Sequence, residues 1–191
     1  MDPRIQQLFQ ESIAVKQAYL DNPANLEALQ RVVDLTIAVF RSGGKALFCG
    51  NGGSAADAQH IAAELSGRFY LNRAPLFAEA LHVNTSFLTA VANDYGYEAV
   101  FARMVEAAGR PGDVLFVLST SGNSANMLRA AEAGRGQGMT VVGLTGQGGG
   151  KLRDLCHHCL EVPSGDTPRI QEVHITIGHL LCELVERALF A

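Results

Sequence analysis

Tryptophan is absent from the 191 residues, and aromatic residues make up only 7% and charged residues 18%, against 48% hydrophobic. This balance excludes a fibre and a disordered tail, and it suits one globular domain, 1–191, with a core of useful size. No apolar run reaches the roughly 18 residues that a membrane-spanning helix needs. The opening Met1-Asp2-Pro3-Arg4-Ile5-Gln6 is too polar for a signal peptide, so a cytoplasmic location is expected, with no membrane partner. Neither charge sign forms a block: 15 Lys and Arg face 19 Asp and Glu, a net charge of -4. The broad basic face of a nucleic-acid binder is therefore missing. Only four cysteines occur, Cys49, Cys156, Cys159 and Cys182, too few and too irregularly placed for a disulfide framework, and they read as reduced thiols.

What is present is an alternation. Apolar residues recur at three and four from Ile5 to Leu20 and from Leu26 to Phe40, predicting two antiparallel helices within 1–43, broken at Asp21-Asn22-Pro23. Beyond Ser42-Gly43-Gly44 the pattern changes to short apolar runs, Lys45–Cys49, Val114–Leu118 and Thr140–Leu144, each followed by glycine or serine and then a helical stretch. Weaker strands fall near Phe77–Leu81 and Cys159–Val162. The expectation is an α/β fold, a three-layer, doubly wound sandwich around a roughly five-stranded parallel sheet of flavodoxin-like topology, with the N-terminal helices added. A last helix is expected from Pro168 to about Phe190, with Thr167 as its N-cap. There is no internal repeat and no domain linker.

Two loops carry the first chemical signals. Cys49-Gly50-Asn51-Gly52-Gly53-Ser54 lies between a strand and a helix, where glycines let backbone N–H groups approach an anion or a hydroxyl-rich ligand. Its plain alternative is a tight turn with Ser54 as helix cap. The loop is neither a dinucleotide fingerprint nor a Walker loop. Leu118-Ser119-Thr120-Ser121-Gly122-Asn123-Ser124 repeats the design before a helix starting near Ala125, and its hydroxyls beside a helix N-terminus suit a phosphate. A single serine-rich turn usually means only a turn. Two such loops at the carboxyl ends of parallel strands occupy the place where open α/β sheets bind ligands.

His60 and Glu64 lie four apart on one helix face, a spacing that suits two ligands of one metal ion or an ordinary solvated pair. Gln171, Glu172, His174 and His179 punctuate the last helix, where His179 alone would more often be a buried histidine than a ligand or catalyst. Asn93-Asp94-Tyr95-Gly96 reads as a turn between helices whose carboxylate and amide could reach a sugar. Cys156-His157-His158-Cys159 lacks the second ligand pair of a zinc knuckle and the helix-start context of a redox pair, so it reads as structural packing before the fifth strand.

Taken in order, Cys49-Gly50-Asn51-Gly52-Gly53-Ser54-Ala55, Gln59-His60, Ala63-Glu64-Leu65, Ala92 to Gly96, Gly112 to Leu115, Ser119 to Asn126, Leu144-Thr145-Gly146 and Arg169 to His174 resemble the SIS (sugar isomerase) domain family. Within it they are most similar to the branch that isomerises sedoheptulose 7-phosphate. The resemblance implies that Asn51, Gly52, Gly53, Asn93 and Asp94 contact the sugar and that Ser119, Thr120, Ser121 and Ser124 hold the phosphate. It also implies one zinc ion per subunit on His60, Glu64, Gln171 and His179, with Glu64 and Gln171 touching substrate as well. In the implied reaction Glu64 is the base and His179 the acid, moving a proton between C1 and C2 through an enediol to give D-glycero-D-manno-heptose 7-phosphate. That is the first step towards ADP-heptose for lipopolysaccharide core.

No redox cofactor is needed for such a step. Gln171 and His179 are eight apart on one helix, a rise of about 12 Å, so one of the two is expected from a neighbouring subunit. A homotetramer with active sites at subunit interfaces, as the family implies, agrees with this, and the helices of 1–43 are the candidates for much of the interface. The main alternative is a non-enzymatic relative that associates with the replication initiator. Such relatives typically lack the acid and base, and both Glu64 and His179 are present here.

Overall fold

A computed structural model describes residues 2–191. Two helices open the chain, α1 (Arg4–Leu20) and α2 (Pro23–Arg41). The break between them has a local cause: Asn22 accepts a hydrogen bond from the Ala24 N–H and Pro23 takes the first helical position. Along α2 the apolar stripe Leu29, Val32, Val33 and Val39 is buried, together with Thr36. On α1 only Tyr19 is buried, and Ile5, Leu8, Phe9 and Ile13 face outward.

The remaining elements alternate: β1 (Ala46–Gly50), α3 (Gly53–Ser66), β2 (Ala78–Ala80), α4 (Thr85–Tyr95), a 3-10 turn (Tyr97–Ala99), α5 (Val100–Ala108), β3 (Val114–Ser119), α6 (Ala125–Gly136), β4 (Thr140–Thr145), α7 (Leu152–Leu155), β5 (His158–Glu161) and α8 (Thr167–Phe190). All five strands are parallel, in the order β2-β1-β3-β4-β5. This is the expected flavodoxin-like order. Strands β1 and β3 are buried along their whole length, as continuous apolar runs require when helices cover both faces.

Two cores result. One packs Val32 and Val33 of α2, Ile61 and Leu65 of α3 and Ile177 and Leu181 of α8 on Phe48 and Phe116, whose rings stack at 4.7 Å. The other packs Phe101 and Val105 of α5 and Met127, Ala130 and Ala131 of α6 on Leu47, Leu115 and Val117. At the amino ends of the strands, the Asp113 carboxylate accepts from the Lys45 and Arg110 backbone N–H groups and pairs with the Lys45 ammonium at 2.6 Å, tying the starts of β1 and β3 together.

Four sequence expectations shift. Asp166, not Thr167, stands at the N-cap of α8, so Pro168 is its second residue. Ser54 does not cap α3: Gly52 does, and Ser54 is buried in the first turn. Asn93, Asp94 and Tyr95 form the last turn of α4, and only Gly96, with φ 84°, leaves the helix. The fifth strand spans His158–Glu161, one residue earlier than the expected Cys159–Val162, because the ladder with β4 begins at His158. All four cysteines are free, and no helix is long and apolar enough to cross a membrane.

Candidate active site

Strands β1 and β3 are neighbours with Gly50 opposite Leu118, so the loops that leave their carboxyl ends emerge side by side. This is the point at which the strand order reverses, the usual ligand site of an open α/β sheet. The loops are also bonded to each other. Asn51 Nδ2 donates to Asn126 Oδ1 at 2.9 Å, and Asn126 Nδ2 returns a bond to Asn51 Oδ1 at 2.8 Å. Tyr97 Oη adds a third bond to Asn51 Oδ1 at 3.2 Å. Asn126 is buried, and its amide fixes which way the Asn51 amide faces. Asn126 ends one of the stretches that carry the family resemblance but has no role in the sequence reading, and Tyr97 is absent from it; an amide in the first turn after a serine-rich loop is the available signal.

The Ser119–Ser124 loop is shaped by glycine. At Gly122, φ is 63° and an added Cβ would lie 2.0 Å from the Gly149 carbonyl oxygen. The loop thus sits directly on the segment after β4. Ser124 is the N-cap of α6, but its side chain makes no capping bond, which leaves that hydroxyl and the first N–H groups of the helix for an anion. Ser119 is buried, Thr120 and Ser124 are half-buried and Ser121 is exposed. Asn93 and Asp94 bond to each other at 2.9 Å and are exposed. Tyr97, three residues beyond Asp94, is the part of this segment that bonds to the Asn51 loop.

Helices α3 and α8 run side by side in the same direction. Gln171 lies against Gly53, where an added Cβ would stand 2.6 Å from its Nε2, and Gly178 lies against Ile61. Next to that contact, His60 Nε2 and His179 Nε2 are 3.2 Å apart, and Glu64 Oε1 is 3.2 Å from His60 Nε2. The His179 ring stands between those of His60 and Phe69, with centroids at 5.0 and 5.8 Å.

Three of the four expected metal-binding side chains therefore meet, and Gln171 does not join them. Its place beside Gly53 is two helical turns away, as the eight-residue spacing requires. His, His and Glu are ordinary zinc donors. The 3.2 Å between the two imidazole nitrogens is close to the roughly 3.3 Å edge of a tetrahedron with bonds of 2.0–2.1 Å. The donor types and this edge suit a zinc ion, and among the described residues no group of three His, Cys, Asp or Glu side chains is placed to hold a metal by itself, so a further ligand is needed.

The Cys156 to Cys159 segment is structural. His157 Nδ1 accepts the Val141 N–H, extending the β4–β5 ladder by a side-chain bond. Burial pushes the Cys156 thiol up to about 12, which makes it a poor nucleophile.

A family model described as the SIS domain matches residues 9–146. The chain is 60% identical over 162 residues to a Rhodospirillum rubrum protein named phosphoheptose isomerase, covering 85% of this chain and 86% of that protein. It is 54% identical over 186 residues to the Mycobacterium tuberculosis phosphoheptose isomerase, covering 97% and 95% of the two chains. The solved structure of phosphoheptose isomerase from Neisseria gonorrhoeae matches with a TM-score of 0.90 at 43% identity, over 96% of this chain and 97% of that one.

Proposed function

The chain belongs to the SIS-domain family and is an isomerase of its phosphoheptose group, and on that premise we propose that it converts sedoheptulose 7-phosphate to D-glycero-D-manno-heptose 7-phosphate through an enediol. The observation that carries this reading is the convergence of Glu64, His60 and His179 along one side of α3, the helix that starts from one of two anion-suited loops locked together by Asn51 and Asn126.

The residues act in order. Ser119, Thr120, Ser121 and Ser124 hold the phosphate with hydroxyls and the α6 N-terminus. Asn51, Gly52, Gly53, Asn93 and Asp94 hold sugar hydroxyls, with Asn51 kept in one orientation by its two amide bonds. The Glu64 carboxylate takes a proton from C1 while His179 gives one to O2, which yields the enediol. Glu64 then returns its proton to C2, and His179 takes the proton of O1, leaving the C1 aldehyde and both side chains in their starting states.

His60, Glu64 and His179 would hold one zinc ion per subunit, joined by Gln171 of the partner subunit. When bound, the ion supplies positive charge for the developing oxyanion. The enzyme would be a homotetramer with active sites between subunits. The outward apolar stripe Ile5, Leu8, Phe9 and Ile13 of α1 supports such an association. We place the enzyme in the cytoplasm, at the first step towards ADP-heptose for lipopolysaccharide core.

Conversion in deuterated water tests the enediol: the proton carried by Glu64 exchanges with solvent, so deuterium should enter at C2 of the product. Conversion with no label at C2 would replace the enediol with a hydride shift.

A further inference from the structure

Beneath the site lies a pair of charges that the reaction does not touch. Arg73, in the α3–β2 connection, and Glu186, near the end of α8, bond at 2.9 Å with side chains only 2% and 1% exposed. The Arg73 guanidinium donates to the carbonyls of Glu64, Leu65, Gly67 and Ala74. The first two belong to the last turn of α3, where carbonyls lack helical donors. Glu186 accepts the successive backbone N–H groups of Phe69, Tyr70 and Leu71. Burial pushes the Glu186 carboxyl up, but those N–H groups and Arg73 outweigh it and hold the group down at about 2.

We propose that the Arg73–Glu186 pair is the positioning unit of the active site, fixing Glu64 relative to His179 and seating the Phe69 ring against His179. This rests on the reading of Glu64 and His179 as base and acid. A buried ion pair is a weak source of stability, since well-packed apolar side chains do as well. What the pair supplies is direction, because two of its bonds end on residues that touch the His60–His179 cluster. Arg73 holds the carbonyl of Glu64 itself, and Glu186 holds the N–H of Phe69, whose ring lies 5.8 Å from that of His179. Glu186 and His179 are seven apart, two turns along one side of the same helix. The path from His179 along α8 to Glu186, across to Arg73, back to Glu64 and through His60 to His179 is therefore a closed ring of contacts. The neighbouring Arg187–Glu183 pair is exposed at the arginine, and its bonds reach no part of this ring.

The test compares the full-length zinc-loaded wild type with Glu186→Gln, Phe69→Leu and, as a surface control, Arg187→Gln. Each is checked by circular dichroism and size, and then assayed for kcat and KM with sedoheptulose 7-phosphate. Glu186→Gln keeps the side-chain shape but loses the charge and one acceptor oxygen. It should lower kcat about tenfold or more while KM stays within about threefold, and amide exchange at 69–71 should speed up. Phe69→Leu leaves the ion pair intact and should lower kcat about fivefold with the same KM pattern. Arg187→Gln should match wild type. A folded Glu186→Gln with wild-type kcat overturns the proposal; if that variant does not fold, wild-type kcat in Phe69→Leu does so. A wild type that does not isomerise the sugar phosphate overturns the functional reading, and this one with it. An active wild type with unchanged variants overturns this one alone.

Discussion

Gly178 of α8 lies so close to Ile61 of α3 that an added Cβ would stand 2.5 Å from the Ile61 side chain. This contact brings His179 within 3.2 Å of His60. A helix-interior glycine ordinarily costs about 1 kcal/mol relative to alanine, so the sequence gives up helical preference for a close approach at the site. Gly178→Ala should gain in helix propensity, lose a comparable amount through crowding and spread the two helices. The expected result is a small change in the denaturation midpoint with at least about a tenfold fall in kcat. Steady-state kinetics beside a urea titration separates the two effects.

The reciprocal amide bonds of Asn51 and Asn126 tie the sugar loop to the phosphate loop. Asn126→Ala leaves the Asn51 amide free to turn and removes about 1–2 kcal/mol of hydrogen bonding. KM for the sugar phosphate should rise roughly tenfold while the far-ultraviolet circular dichroism is unchanged. An unchanged KM would show that Asn51 needs no such partner.

Much of this was legible in the sequence, for a definable reason. The runs at β1, β3 and β4 are apolar on both faces, so a covered parallel sheet follows, and with it the adjacent loops at its carboxyl edge. The spacing of His60 and Glu64 is a property of one helix and can be read locally. Asn126 and Asn51 are 75 residues apart, and Arg73 and Glu186 are 113 apart. No periodicity connects them, and Arg73 in an irregular connection looks like any solvated charge. The cap of α8 lies at Asp166, one residue before Thr167, because threonine and aspartate are interchangeable at caps until the backbone is known, and α3 is capped two residues before Ser54 by Gly52, whose φ of 56° suits glycine.

His174 is fully buried, with Nε2 3.2 Å from the Thr145 carbonyl and Nδ1 without a partner. Burial pushes its pKa down to about 4, against a smaller opposing effect of the Thr145 bond. Between pH 6.5 and 4 the unfolded chain therefore binds the proton that the folded chain refuses, and stability falls as pH falls through this window. Urea midpoints across that range should decline in wild type, His174 contributing on the order of 3 kcal/mol. The decline should be clearly shallower in His174→Asn. Parallel declines would assign the loss to other groups.

If Gln171 completes the site of the partner subunit, defects at Gln171 and His179 should complement. Gln171→Ala and His179→Ala homo-oligomers should each be nearly inactive. Subunits mixed in equal amounts, unfolded and refolded together should regain activity at about a quarter of the sites. No recovery would argue that each chain builds its site alone.

The most direct measurement is turnover of sedoheptulose 7-phosphate by the purified, assembled, zinc-loaded protein beside Glu64→Gln and His179→Ala. Wild type should convert the substrate, and each variant should lose about a thousandfold or more in kcat with folding intact. No conversion by wild type, or near-normal turnover by either variant, would contradict this.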